Sequence, residues 1–93
     1  MGVDIKIIKR GERVLKGGAN KNRLRILDFV ATKDFTSVWA ISQGLKINFA
    51  NASQHLQRLE KAGLIQKSHS GLEVYHELTP HGEKILEFIQ SLD

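Results

Sequence analysis

Asn48-Phe49-Ala50-Asn51-Ala52-Ser53-Gln54-His55-Leu56-Gln57-Arg58-Leu59-Glu60-Lys61-Ala62-Gly63 is the stretch whose reading decides the fold. Phe49, Ala52, Leu56 and Leu59 recur every three or four residues and form one apolar stripe along a helix. The opposite face carries Asn51, Gln54, His55, Arg58 and Lys61, side chains able to meet a base edge or hold a phosphate. Any solvated helix surface has a similar look, so the face alone leaves both readings open. Asn48 is placed to cap the helix start, because its side-chain oxygen can accept an orphan backbone N–H. Gly63 is placed to end the helix in the left-handed conformation, with Leu64 folding back on the last turn.

Upstream, Asn20 can cap a helix over about 21–33, with Leu24, Leu27, Phe29 or Val30, and Ala31 inward and Ile26 and Val30 as a second edge. Lys21, Arg23 and Arg25 sit near its start, where positive charge opposes the helix dipole. Phosphate contact or simple solubility would explain them. Thr36-Ser37 can cap a short helix over about 37–44, with Val38, Ile41 and Leu45 inward and Gly44 as its end. Trp39, the one tryptophan, reads as a partly buried core or seam residue. Two short helices joined by a tight turn, the second with a polar outer face, form a helix-turn-helix pattern.

Downstream the period changes from helical to alternating. Residues 64–68 read as a strand, His69-Ser70-Gly71 as a turn, and Leu72 to Leu78 as a second strand. Leu72, Val74, His76 and Leu78 share one face of it. Thr79-Pro80 opens the last helix, with Thr as cap and Pro where its missing N–H costs nothing. That helix carries Ile85, Leu86, Phe88, Ile89 and Leu92, more apolar bulk than packing on a small hairpin domain needs. The surplus marks a candidate dimer seam, against the plainer reading of a helix that only covers the core.

Ninety-three residues, 41% of them hydrophobic, suit one small domain. Such domains are marginal alone, and a second subunit is a common remedy. Residues 1–25 hold eight Lys/Arg against Asp4 and Glu12, whereas residues 26–93 hold six Lys/Arg against eight Asp/Glu. A basic end favours a polyanion partner, although a solvated tail has the same composition. We divide the chain into a basic segment, 1–18, with a short helix over about 8–16 stopped by Gly17-Gly18, and a domain, 19–93. The segment would serve as an arm on phosphates or as a helix packed on the domain or on a second subunit. With no cysteine in the chain, disulfides, thiolate metal sites and cysteine nucleophiles are excluded. With no signal-peptide core and no apolar run near membrane-spanning length, an intracellular, cytoplasmic protein is expected.

In this order the elements resemble a winged helix-turn-helix domain, mostly α with a small β-hairpin wing. The stretch Ala52-Ser53-Gln54-His55-Leu56-Gln57-Arg58-Leu59-Glu60-Lys61-Ala62-Gly63-Leu64-Ile65 resembles the recognition-helix motif of bacterial and archaeal winged-helix repressors, above all the arsenical-resistance type. Leu78-Thr79-Pro80-His81-Gly82 resembles the step that closes the wing in the multiple-antibiotic-resistance type. Residues 17–27 resemble the opening of small archaeal winged-helix regulators, some of which dimerise through the last helix. The resemblance implies a homodimer on double-stranded DNA, with the helix at 48–63 in the major groove and the hairpin at 64–78 beside it. It places Asn51, Ser53, Gln54 and His55 at bases or nearby phosphates and Arg58 on a phosphate. The cysteines through which the arsenical type often senses metal are missing. The short tip lacks the Arg of longer wings, leaving Lys67 and His69 to touch phosphate.

The expected DNA-facing set is therefore Asn48, Asn51, Ser53, Gln54, His55, Arg58, Lys61, Lys67, His69, Lys21, Arg23 and Arg25. Gln54 and Asn51 can each pair bidentately with adenine. His55 could bond a phosphate or a base, or pack on the preceding helix with a local hydrogen bond. His55, His69, His76 and His81 lack metal-ligand spacing and read as surface residues, so no metal or cofactor is expected. Ser53 near His55 is no triad, and no glycine-rich phosphate loop exists, so no enzyme activity is expected. No small-molecule effector is evident. Three functions remain in view: a sequence-specific regulator, an architectural DNA binder with weak specificity, and a winged-helix module for protein contacts.

Overall fold

The computed structural model describes residues 5, 6, 9, 16, 21–33 and 36–92. Among them run α1 (Lys21–Thr32), α2 (Val38–Leu45), α3 (Phe49–Lys61), β1 (Ile65–Ser70), β2 (Glu73–Leu78) and α4 (Pro80–Gln90). Ile5, Lys6, Lys9 and Lys16 have helical backbone. The remainder of the expected helix at 8–16, its stop at Gly17-Gly18 and the cap at Asn20 lie outside the described residues.

Helix α1 is the hub, in contact with α2, α3, α4 and β2. Its Ile26, Leu27 and Val30 are buried against Ile41 of α2, Ala52, Leu56 and Leu59 of α3, and Ala62, Leu64 and Ile65 where α3 gives way to β1. At about 1.5–3 kcal/mol for each large apolar side chain removed from water, these residues dominate what holds the fold together. Ala31, expected inward, is exposed; it lies beside the buried stripe, outside the arc that α2, α3 and α4 cover.

Both helix ends of the central motif use the same hydrogen-bond pattern. At the end of α3, Leu64 N–H donates to Leu59 O (2.9 Å) and Gly63 N–H to Glu60 O (3.0 Å), with Gly63 at φ 79°. This is a Schellman closure, and glycine supplies the left-handed residue without steric cost. At the end of α2, Ile47 N–H donates to Ser42 O (3.0 Å), and the left-handed residue is Lys46, φ 56°. Gly44, expected to end that helix, lies inside it. A Cβ there would fall 2.5 Å from the Phe29 ring atoms Cε2 and Cζ, so glycine serves close packing of α1 on α2. Ser42 Oγ donates to Ile47 O (2.6 Å), and Arg25 donates to Leu45 O (2.9 Å). The turn between α2 and α3 is thus fastened from three sides.

The starts of the helices follow their caps. Ser37 Oγ accepts Ala40 N–H (3.1 Å), Asn48 Oδ1 accepts Ala50 N–H (2.8 Å), and Thr79 Oγ1 accepts Gly82 N–H (3.1 Å), with Pro80 in the first helical position.

The hairpin pairs antiparallel from Ile65 opposite Leu78 to Ser70 opposite Glu73. Its two-residue turn is Gly71-Leu72, one residue later than expected, with Gly71 at φ 63°, as a type II′ connection requires. Leu72 therefore stands fully exposed at the tip and does not join Val74, His76 and Leu78 on the inner face. His76 also departs from the surface reading: it is buried. Its backbone N–H donates to Thr36 O (2.8 Å), forming an antiparallel bridge. A third extended segment therefore closes the hairpin's inner edge.

Candidate nucleic-acid interface

Helix α3 buries Ala52, Leu56 and Leu59 and leaves Asn48, Asn51, Gln54, Gln57, Arg58 and Lys61 exposed. The amides of Asn51 and Gln54 carry both a donor and an acceptor on one rigid plane, which suits them to the edge of a base. Arg58 and Lys61 lie one and two turns further along. They are also the basic residues of the last turn, where positive charge complements the helix dipole. Asn48 Oδ1 is engaged as the cap, accepting Asn51 N–H (3.4 Å) as well as Ala50 N–H.

Two aromatic side chains depart from expectation. Phe49, expected in the core stripe, is 54% exposed, and Trp39, expected in a seam, is 65% exposed. Phe49 holds the stripe's angular position but lies one turn before Ala52, beyond the reach of the buried cluster. Trp39 lies on the side of α2 opposite the buried Ile41. Sequence reasoning missed Phe49 as a candidate contact residue and set base stacking by Trp39 aside in favour of burial.

His55 is half-buried between α1 and α3, and its Nδ1 is enclosed with no hydrogen-bond partner among the described residues. Burial first, then the guanidinium groups of Arg23 and Arg58, holds its pKa below the ordinary value. Three residues expected at phosphates, from two helices, are thus brought into electrostatic range of one another. Arg23 also donates to Lys16 O (2.9 Å). Arg25 serves a different end: besides Leu45 O it donates to Asn22 Oδ1 (3.1 Å), so its role here is to satisfy the last turn of α2. Lys21 is exposed.

On the hairpin side, Ser53 is half-buried and faces the junction with the wing. It shares a crevice of about 140 Å³ with Gln57, Lys67, Val74 and His76. Lys67 Nζ lies 3.4 Å from Glu60 Oε2, tying the wing to α3 with an exposed ion pair worth at most about 1 kcal/mol. His69 is exposed near the tip. Among the described residues no group of three His, Asp or Glu converges as metal ligands, and no helix is long and apolar enough to cross a membrane.

His76 Nδ1 lies 3.1 Å from Thr36 O; a carbonyl only accepts, so Nδ1 carries the proton and donates it. Burial is the main influence on this ring and lowers its pKa. The Thr36 contact opposes that shift, Lys67 adds to it and Glu60 opposes it. A histidine lowered on folding takes its proton first in the unfolded chain. Stability is therefore full above about pH 6.5 and declines as the pH falls below it. With His55 and His76 shifted the same way, the thermal midpoint is expected to drop between pH 7.5 and 5.5. The His76→Gln chain should be less stable but flatter across that window. A midpoint that holds or rises on acidification would contradict the assignment.

A trihelical core with a polar, cationic helix set across it and a two-stranded hairpin at its side defines a winged helix-turn-helix protein. Residues 19–67, over half of the chain, match the family model described as a helix-turn-helix domain, and the protein belongs to that family. No curated protein matches the sequence. Among solved structures, it is similar to a homodimeric winged helix-turn-helix DNA-binding domain from Mycobacterium bovis, described as a possible ArsR-family transcriptional regulator. The identity is 27% and the TM-score 0.85, over 99% of this chain and 88% of that one. HlyU from Vibrio cholerae, in its reduced form, is 27% identical with a TM-score of 0.80, over 94% and 92% of the two chains. NolR from Sinorhizobium fredii, at 21% identity, 99% and 95% coverage and a TM-score of 0.83, shares the fold. The expected resemblance to winged helix-turn-helix regulators agrees with these neighbours.

Proposed function

We propose that this protein is a cytoplasmic, sequence-specific regulator of transcription that binds double-stranded DNA as a homodimer and acts by binding, not catalysis. The observation that carries the reading is the exposed face of α3, where Asn51, Gln54, Arg58 and Lys61 stand clear of the core on a helix fixed at both ends. Such a helix fits the width of a major groove. Arg58 and Arg23 offer positive charge for one phosphate track, with the uncharged His55 ring between them as a hydrogen-bonding group, and Lys67 and His69 would meet the neighbouring backbone from the wing. The dimer reading draws support from α4 and the residues just after it, where Phe88 and Leu92 are 60% and 66% exposed and Ile85, Leu86 and Ile89 are half-buried. The similar domain from Mycobacterium bovis is itself homodimeric.

Two substitutions separate base reading from phosphate holding. Gln54→Ala is expected to cost about 1–3 kcal/mol on the preferred site and to relax preference at one base pair. Arg58→Ala should weaken binding evenly on all sequences and lower the slope of log affinity against log salt by about one. Anisotropy titrations on preferred and scrambled duplexes, each at several salt concentrations, measure both. Equal loss on both duplexes for Gln54→Ala would reject base reading by that residue.

A further inference from the structure

Phe49 stands 54% exposed in the first turn of α3, immediately after the Asn48 cap. A ring left in water there adds little to the core. The exposed positions that follow are Ala50, Asn51, Gln54 and Gln57, and no Lys or Arg occurs from Phe49 to Gln57. This selection of side chains has a chemical meaning in a major groove. Guanine is met most often by Arg or Lys at O6 and N7, and adenine by the amides of Asn or Gln. The C5-methyl of thymine is met by apolar side chains, Phe and Ala among them. In helix-turn-helix proteins the N-terminal residues of the recognition helix are those that reach base edges.

We infer that Phe49, with Ala50 beside it, is a thymine-methyl reader, and that the first two turns of α3 select an A·T-rich half-site. Asn51 and Gln54 take adenines, while the phenyl ring and the alanine methyl cover thymine methyl groups. The pairing explains why an aromatic residue stays exposed at the leading end of α3, at the angular position of the buried stripe but one turn before the core begins: it gains its apolar contact only when a duplex is present. The inference rests on the DNA-binding reading above and adds the chemistry of the bases read.

The test starts from duplexes selected out of a random pool by the full chain. Each thymine of the winning half-site is then replaced singly by deoxyuridine, which differs by the methyl group alone, and affinity is measured at fixed salt. The expected result is a winner with A·T pairs under the start of α3, in which uracil at one or two positions lowers affinity about fourfold each, the effect of returning one methyl group to water. Phe49→Ala should weaken binding to the thymine duplex and erase the thymine–uracil difference at those positions, while Phe49→Leu retains part of it. A winner with G·C pairs there, or uracil duplexes bound as tightly as thymine duplexes throughout, would overturn the inference and leave the wider reading standing. A pool that yields no sequence preferred over bulk DNA would remove the wider reading, and this inference with it.

Discussion

Gly82→Ala is expected to lower stability by about 3 kcal/mol or more, at the upper end of what overpacking costs. In a domain of this size that is a fall of more than about 12 °C in thermal midpoint. The cause is backbone against backbone. A Cβ on residue 82 would lie 2.1 Å from the Leu64 carbonyl oxygen and 3.1 Å from its carbon. That carbonyl cannot swing aside, because it accepts Thr79 N–H (3.1 Å) and belongs to a residue with no exposed surface. Relief requires α4 to move bodily away from the end of α3. Ile85, packed against the core, would move with it. Melts at equal protein concentration, followed by circular dichroism, measure the change, since self-association would make the midpoint depend on concentration. A midpoint within two or three degrees of the parent, about half a kcal/mol for a domain this small, would show that the close approach is not maintained in solution.

Phe88→Glu is expected to have the largest effect on assembly. Phe88, in the last turn of α4, and Leu92, two residues beyond its end, are both mostly exposed. Placed in a two-fold seam, each would face its counterparts in the second copy. A carboxylate at the centre of such a seam would have to be buried without a partner, a cost of several kcal/mol. The chain should then sediment as a monomer at concentrations where the parent is a dimer. Affinity for a two-half-site duplex should fall about a hundredfold or more, because the second half-site no longer gains from being tethered to the first. The fold itself should persist, as the residue adds little to the core. A Phe88→Glu chain that remains dimeric would place the seam elsewhere.

Much of this architecture could be read from local signals. Asn48, Ser37, Thr79-Pro80 and Gly63-Leu64 act within a few residues of themselves, so their chemistry is visible without the fold. Errors arose where a local signal had to be weighed against a distant partner. Periodicity put Phe49 in the core stripe, but periodicity gives an angle around the helix and says nothing of where the core stops. Glycine preference put the left-handed residue of α2 at Gly44, whereas Phe29 of another helix claims that glycine for packing and Lys46 takes the strained position. His76 looked like a surface residue because its partner, Thr36, is 40 positions away in the chain. Gly82 was noticed only as part of a family motif; its physical reason, the Leu64 carbonyl, became visible with the two elements packed. At the candidate site, the polar face of α3 followed directly from helical spacing. The grouping of Arg23 and Arg58 around His55 did not, nor did the diversion of Arg25 to the end of α2, because both depend on how α1 crosses the motif.

The central claim is that the outward face of α3 is the surface that meets a duplex. Backbone amide resonances of the full chain, followed as a selected duplex is added, test it most directly. The account predicts that the largest changes fall on residues 49–58, with a second set on the wing around 67–73. Changes confined to α4 or to the outer face of α2, with the amides of Asn51 and Gln54 unmoved, would contradict it.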